Sequence, residues 1–199
     1  MRTASHMRFI PIVLLAMAVA LVSATQEETK DTAATSTTLT VGDPTPDFEF
    51  PKPDRPAGSN ETIKLSDLKG KKNVLIAFYP KVFTSGCTTQ LCGYRDEFAT
   101  FKNADTEIIA VSTDEQPESD RFKKEKEFPF CVVGDPKGAI VKAYGVPLRE
   151  HQGAQYAQRA VFLVDKAGII THIDLDYKIT EDKTSLYDAV AKLSVTTSK

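Results

Sequence analysis

Phe78 to Arg95 reads Phe-Tyr-Pro-Lys-Val-Phe-Thr-Ser-Gly-Cys-Thr-Thr-Gln-Leu-Cys-Gly-Tyr-Arg, and it holds two of the three cysteines in a chain of 199 residues. Just before it, Val74 to Phe78 is a continuous apolar run of the kind buried on both faces of a sheet, and it stops at Pro80. Beyond it, Leu91, Tyr94, Phe98 and Phe101 recur at helical spacing. Cys87 is therefore expected where a strand hands over to a helix. At about 100° per residue it falls in line with the apolar stripe, whereas Cys92 lies roughly 140° round the helix from it. One thiol is expected to face the body of the protein and the other to face sideways. A thiol at a helix N-terminus lies close to unpaired backbone N–H groups and the positive end of the macrodipole, which favour thiolate over thiol. Cys87 is accordingly the candidate nucleophile.

Pro80, Thr84 and Cys87 match the Pro-x-x-x-Thr-x-x-Cys motif of peroxiredoxins, and the stretch resembles the Q-type group of that family, also called bacterioferritin comigratory proteins. The Cys-x-x-x-x-Cys spacing of Cys87 and Cys92 adds to the match, and the resemblance runs from about Val41 to the C-terminus. Ser85 departs from it, because many relatives carry proline immediately before the glycine. The resemblance implies a thioredoxin-like fold and a thiol peroxidase acting on hydrogen peroxide and organic hydroperoxides. In that scheme Cys87 is the peroxidatic cysteine, Thr84 orients the peroxide with its hydroxyl near the sulfur, and Pro80 shields the sulfur from water. Arg159, which opens the Arg-Ala-Val-Phe-Leu-Val strand, matches the family's downstream arginine and would set its guanidinium beside the thiolate. Taken singly these residues read more blandly: a small buried thiol, a loop threonine, a strand-ending proline and a surface cation.

The implied cycle runs through a Cys87 sulfenic acid, which Cys92 captures as a disulfide and an external thiol, such as a thioredoxin-like protein, reopens. No cofactor and no metal enter it, and the protein is expected to be a monomer or weak homodimer. For any thiol, a pKa fall from about 8.5 to about 6 raises thiolate at pH 7 roughly 30-fold, while nucleophilicity drops about 13-fold. Such a site must work mainly through fixed donors, here Arg159, Thr84 and the backbone N–H of Cys87.

At the start of the chain, Arg2 and Arg8 precede a largely apolar run from Phe9 to Val22, followed by the small residues of Val22-Ser23-Ala24. The run is shorter than the ~18 residues of a spanning helix and contains Pro11, so residues 1–24 are expected to be a cleaved signal peptide, with the protein exported to a periplasmic or secreted location. Cleavage would remove two of the 25 basic side chains and none of the 27 acidic ones, taking the formal net charge from −2 to −4. Neither nucleic acid nor anionic lipid is suggested as a partner, and no membrane after cleavage. Residues 25–40 are Thr-rich with almost no apolar content, as expected of a flexible arm. Residues 41–199 suffice for one domain with a sizeable core.

Within that domain, Phe48 to Phe50 and Thr62 to Leu65 are expected as short strands around an irregular loop, with a brief turn at Ser66 to Gly70. Thr106 to Ser112 reads as a strand, Pro117 opens a helix through the charged run Arg121 to Glu127, and Phe130 to Val133 is a further strand. Gly138 to Tyr144 should be a short helix. Arg159 to Asp165 and Gly168 to Leu175 should form a hairpin turning at Asp165 to Gly168, with Ile169, Thr171, Ile173 and Leu175 on one side. A helix over Asp182 to Leu193 closes an α/β fold with a central mixed sheet covered on both faces.

Cys131, in Phe-Pro-Phe-Cys-Val-Val, reads as a packed thiol, although an odd cysteine could pair elsewhere. His151, in a polar loop, and His172, opposite the apolar side of its strand, lack a partner at metal-ligand spacing. Two other functions suit the fold. A thiol-disulfide oxidoreductase would carry Cys-x-x-Cys, which is absent, and a copper-binding assembly factor would leave Pro80 and Thr84 without a role.

Overall fold

A computed structural model of the chain describes residues 38–55 and 59–196. The expected signal peptide, residues 1–24, and residues 25–37 of the expected arm lie outside the described residues. Residues 38–40 belong to the ordered domain: Leu39 packs on the core, and Thr40 donates to the Asp43 carboxylate through its N–H at 2.7 Å and its hydroxyl at 2.8 Å.

The elements in chain order are β1 (Glu49–Pro51), β2 (Thr62–Lys64), a 3-10 turn (Leu65–Leu68), β3 (Asn73–Phe78), α1 (Ser85–Asp96), α2 (Phe98–Asn103), β4 (Thr106–Ser112), α3 (Gln116–Glu125), β5 (Cys131–Gly134), α4 (Ala139–Ala143), β6 (Leu148–His151), β7 (Ala154–Ala157), β8 (Ala160–Val164), β9 (Ile170–Asp174) and α5 (Lys183–Thr196). A five-stranded sheet runs in the order β5-β4-β3-β8-β9. β3 lies at its centre with every residue buried, parallel to β4 and antiparallel to β8. The mixed sheet and thioredoxin-like fold expected from the sequence are thus present.

Because side chains alternate across a strand, the sheet divides the core in two. One face packs Leu75, Ala77 and Tyr79 of the β3 segment against Cys87, Leu91 and Tyr94 of α1, Phe101 of α2, Phe122 of α3 and Leu186 of α5. The other packs Ile76 and Phe78 against Phe50, Leu65 and Val141 of α4, and it contains Cys131. Cys87 and Cys131 therefore lie on opposite sides of the sheet.

Neither outer edge of the sheet is left bare. Along β5, the Gln116 side chain donates to the Val132 carbonyl at 3.1 Å and accepts from the Gly134 N–H at 2.9 Å, standing in for a rung of a neighbouring strand. Along β9, Gly42 N–H bonds to the Ile170 carbonyl at 2.8 Å and Ile170 N–H to the Asp43 carbonyl at 2.9 Å.

Three sequence expectations need correction. The helix after Cys87 breaks at Glu97, whose backbone (φ −109, ψ 23) caps α1 and starts α2. The break directs the Phe98 ring to Phe130, 6.4 Å away between centroids, and the Phe101 ring to Tyr187, 5.2 Å away. His151 does not lie in a loop but ends β6, in a hairpin with β7 that turns through Gln152 and Gly153, both at positive φ (53 and 75). This mostly exposed ribbon has no apolar alternation to betray it. In β9, an irregularity opposite Leu163 and Val164 breaks strict alternation, so Ile170 rather than Ile169 joins Ile173 on the packed side.

Candidate active site

The strand-to-helix handover is built from a lost hydrogen bond. Tyr79 N–H still pairs with the Val111 carbonyl at 3.0 Å, and Pro80, having no N–H, cannot continue the ladder. The chain then loops over the end of the sheet. Thr84 occupies the N-cap of α1 with an extended backbone (φ −77, ψ 150), and the helical ladder opens with Thr88 N–H to the Thr84 carbonyl at 2.9 Å. The amides of Ser85, Gly86 and Cys87 precede that ladder, so they point out of the helix end without an intrahelical acceptor.

Cys87, Gln90, Leu91 and Tyr94 form the buried stripe of α1, and Cys87 is 1 % exposed. The Arg159 guanidinium meets this stripe from β8. Nη2 donates to the Cys87 sulfur at 3.7 Å, and Nη1 donates to the side-chain oxygen of Gln90. Gln90 in turn donates to the Tyr94 hydroxyl at 3.1 Å, and Tyr177 N–H holds the Arg159 carbonyl at 3.2 Å. The guanidinium lies close over the start of α1, 3.4 Å from where a Cβ on Gly86 would stand. The site thus offers a sheltered thiol, a fixed guanidinium and unpaired amides, a donor set suited to charge developing on an oxygen beside the sulfur.

Of the five residues singled out from the sequence, Cys87 and Arg159 are in contact. Pro80 is half-buried at the start of the loop, and Cys92 is a half-buried free thiol against the same core as Cys87. Thr84 differs from expectation: its hydroxyl donates to the Lys81 carbonyl at 3.1 Å rather than approaching the sulfur. The tight loop brings that carbonyl within reach of the N-cap side chain. With its proton so used, the oxygen can still accept a hydrogen bond from a ligand. Gln90 was not singled out, yet it orients the arginine. A polar residue three positions after Cys87, on an otherwise apolar stripe, is the signal that could have marked it. No group of three or more His, Cys, Asp or Glu side chains among the described residues is placed to hold a metal ion.

Cys131 is buried as expected, with its thiol 3.3 Å from the Pro51 carbonyl. Burial pushes its pKa up to about 12, so at neutral pH it stays a thiol. Iodoacetamide at pH 8 should therefore modify Cys131 only after unfolding, while the half-exposed Cys92 reacts in the native protein. Peptide mass mapping with and without urea checks this, and alkylated Cys131 in native protein would refute it.

Residues 41–173 match the AhpC/TSA family. The chain is 40 % identical to peroxiredoxin Bcp of Bacillus subtilis, over 66 % of this chain and 82 % of that protein. It is 34 % identical to peroxiredoxin Bcp of Escherichia coli, over 70 % and 88 % respectively. Among solved structures, that of peroxidoxin BcpB from Mycobacterium tuberculosis superposes with a TM-score of 0.65 at 25 % identity, covering 78 % of this chain and 96 % of that one. With a buried thiol at a helix start, an arginine against it and relatives of this kind, the chain belongs to the AhpC/TSA family, in its Bcp group of peroxiredoxins, the thiol peroxidases.

Proposed function

We propose that this thiol peroxidase acts through Cys87 as peroxidatic and Cys92 as resolving cysteine, and the contact of Arg159 with the Cys87 sulfur is the observation that carries the reading. The Cys87 thiolate attacks the nearer peroxide oxygen; the O–O bond breaks, and the departing oxygen takes a proton to leave as water or an alcohol. Arg159 and the free first-turn amides supply donors to the oxygens as charge builds, while the Thr84 oxygen accepts from the peroxide O–H. Cys87 is left as a sulfenic acid. The Cys92 thiol displaces its hydroxyl as water, forming the disulfide, and a thioredoxin-like dithiol reduces that bond again.

Arg159→Lys keeps the charge and loses the planar fork, so the rate of peroxide reduction should fall about tenfold or more, near 1.4 kcal/mol of transition-state stabilisation. Stopped-flow kinetics with limiting peroxide measures this. An unchanged rate would remove Arg159 from the chemistry, and a fully active Cys87→Ser would remove Cys87.

Disulfide formation requires α1 to open. Residues five apart on an intact helix have Cα atoms about 8.7 Å apart, whereas a disulfide needs no more than about 6.8 Å. Gly86 and Gly93 lower the cost of unwinding. Cys131 could reach Cys87 only from the other face of the sheet. One equivalent of peroxide should thus give a Cys87–Cys92 bond, with amide exchange from Thr88 to Gly93 faster than in the reduced protein. A dominant Cys87–Cys131 bond in the peptide map would overturn this assignment.

For location we propose export, on the pattern of residues 1–24 alone. The amino-terminal sequence of protein recovered from the exported fraction should begin near Thr25, and an intact Met1 terminus on cytosolic protein would contradict it.

A further inference from the structure

Phe83, four residues before Cys87, has φ 59, in the left-handed region where a bulky aromatic residue is strained. Such a conformation persists only where its surroundings hold it. The ring is held by α3: it lies 4.8 Å from Phe122 between centroids, and the Arg121 guanidinium sits over it at 4.6 Å. The backbone is held by Asp114, which follows β4. Asp114 Oδ2 accepts the Val82 N–H at 2.8 Å and the Ser112 hydroxyl at 2.9 Å, while Oδ1 meets Lys81 Nζ at 3.2 Å. The Asp114 side chain is only 8 % exposed, so this is an enclosed acceptor and not a surface pair. Its own backbone cannot retreat. Asp114 O, Gln116 N and Glu115 C lie 2.6, 2.6 and 2.8 Å from where a Cβ on Gly134 would stand, so residues 114–116 rest directly on β5.

We propose that Asp114 is a positioning residue for the peroxidatic thiol. By holding Val82 it keeps the loop 81–84 closed with Phe83 in its strained form, which seats Cys87 against Arg159; release of Val82 opens the start of α1 so that Cys87 can reach Cys92. The proposal rests on the reading above, in which α1 unwinds to form the disulfide. Closed and open forms send the sulfenic acid to different products. In the closed form a second peroxide molecule transfers one oxygen to the sulfenic sulfur, giving sulfinic acid and water. In the open form the Cys92 thiol displaces hydroxide, giving disulfide and water. Asp114 thus favours the first oxidation and delays the disulfide, and the strain at Phe83 is relieved on opening.

The test is peroxide titration of the reduced full chain, with mass spectrometry of disulfide against sulfinic acid and amide exchange over residues 82–87. Wild type must first yield the Cys87–Cys92 disulfide; if it does not, the preceding reading fails whatever Asp114 does. A charge-assisted hydrogen bond is worth about a factor of ten or more in an opening equilibrium. Asp114→Ala should therefore raise the disulfide-to-sulfinic ratio and the exchange rate of residues 82–87 about tenfold each, while lowering the rate of sulfenic acid formation. Asp114→Asn keeps an oxygen for both Val82 and Ser112 but loses the charge, so it should shift both readouts clearly less than alanine does. Should the alanine variant fail to fold, Asp114→Glu, which displaces the carboxylate by one methylene, should shift both readouts in the same direction. An unchanged ratio and exchange in the alanine or glutamate variant, or an asparagine variant shifted as far as alanine, would overturn the proposal.

Discussion

The site depends on the register between β3 and β8. Phe78 stands opposite Ala160, so residue 159 comes level with Tyr79 and takes the same face of the sheet as Cys87. The thiol and its arginine are 72 residues apart in the chain, and this pairing is what brings them together. A slip of one residue would turn the guanidinium away from Cys87 and into the largely apolar core on the opposite face. The buried apolar residues of both strands oppose that slip, because it would reverse every side chain of a strand packed on both faces.

The same sheet separates two kinds of thiol. Cys131 is buried in the opposite core with its thiol on the Pro51 carbonyl, and burial keeps it protonated. Cys87 is buried just as deeply by area, yet it borders free amides and a guanidinium. Accessible area alone does not distinguish them; the groups facing the sulfur do, a guanidinium donor for Cys87 against a backbone carbonyl acceptor for Cys131. The start of α1 reflects the same requirement. It carries no acidic residue in its first turn and no side-chain cap bond at Thr84. Both devices would steady the helix, but a carboxylate in that turn would repel a thiolate.

Much of this was legible in the residues. The unbroken apolar run of β3, the stop at Pro80 and the helical stripe containing Cys87 located the handover, and the motif resemblance brought in Arg159. The features that were not legible depend on tertiary contact. Nothing in the local sequence says that Glu97 breaks the helix, and the break goes with tertiary contacts of the Phe98 and Phe101 rings. Gln90 has meaning only once β8 delivers the arginine, and Thr84 turned to Lys81 because of the loop's curvature. The left-handed Phe83 is likewise invisible beforehand, because local propensity disfavours it and distant residues impose it.

The closed edges of the sheet bear on how the protein behaves in company. An open strand edge is a template on which another chain can add by main-chain pairing, the usual beginning of ordered aggregates. Here a glutamine amide occupies one edge at Val132 and Gly134, and the segment that leads into the domain occupies the other at Ile170. A folded copy therefore presents neither a donor nor an acceptor at those rungs to a misfolded neighbour. In the proposed cycle, where α1 opens to form the disulfide, the chain would loosen near Cys87 while these rungs of the sheet stay occupied.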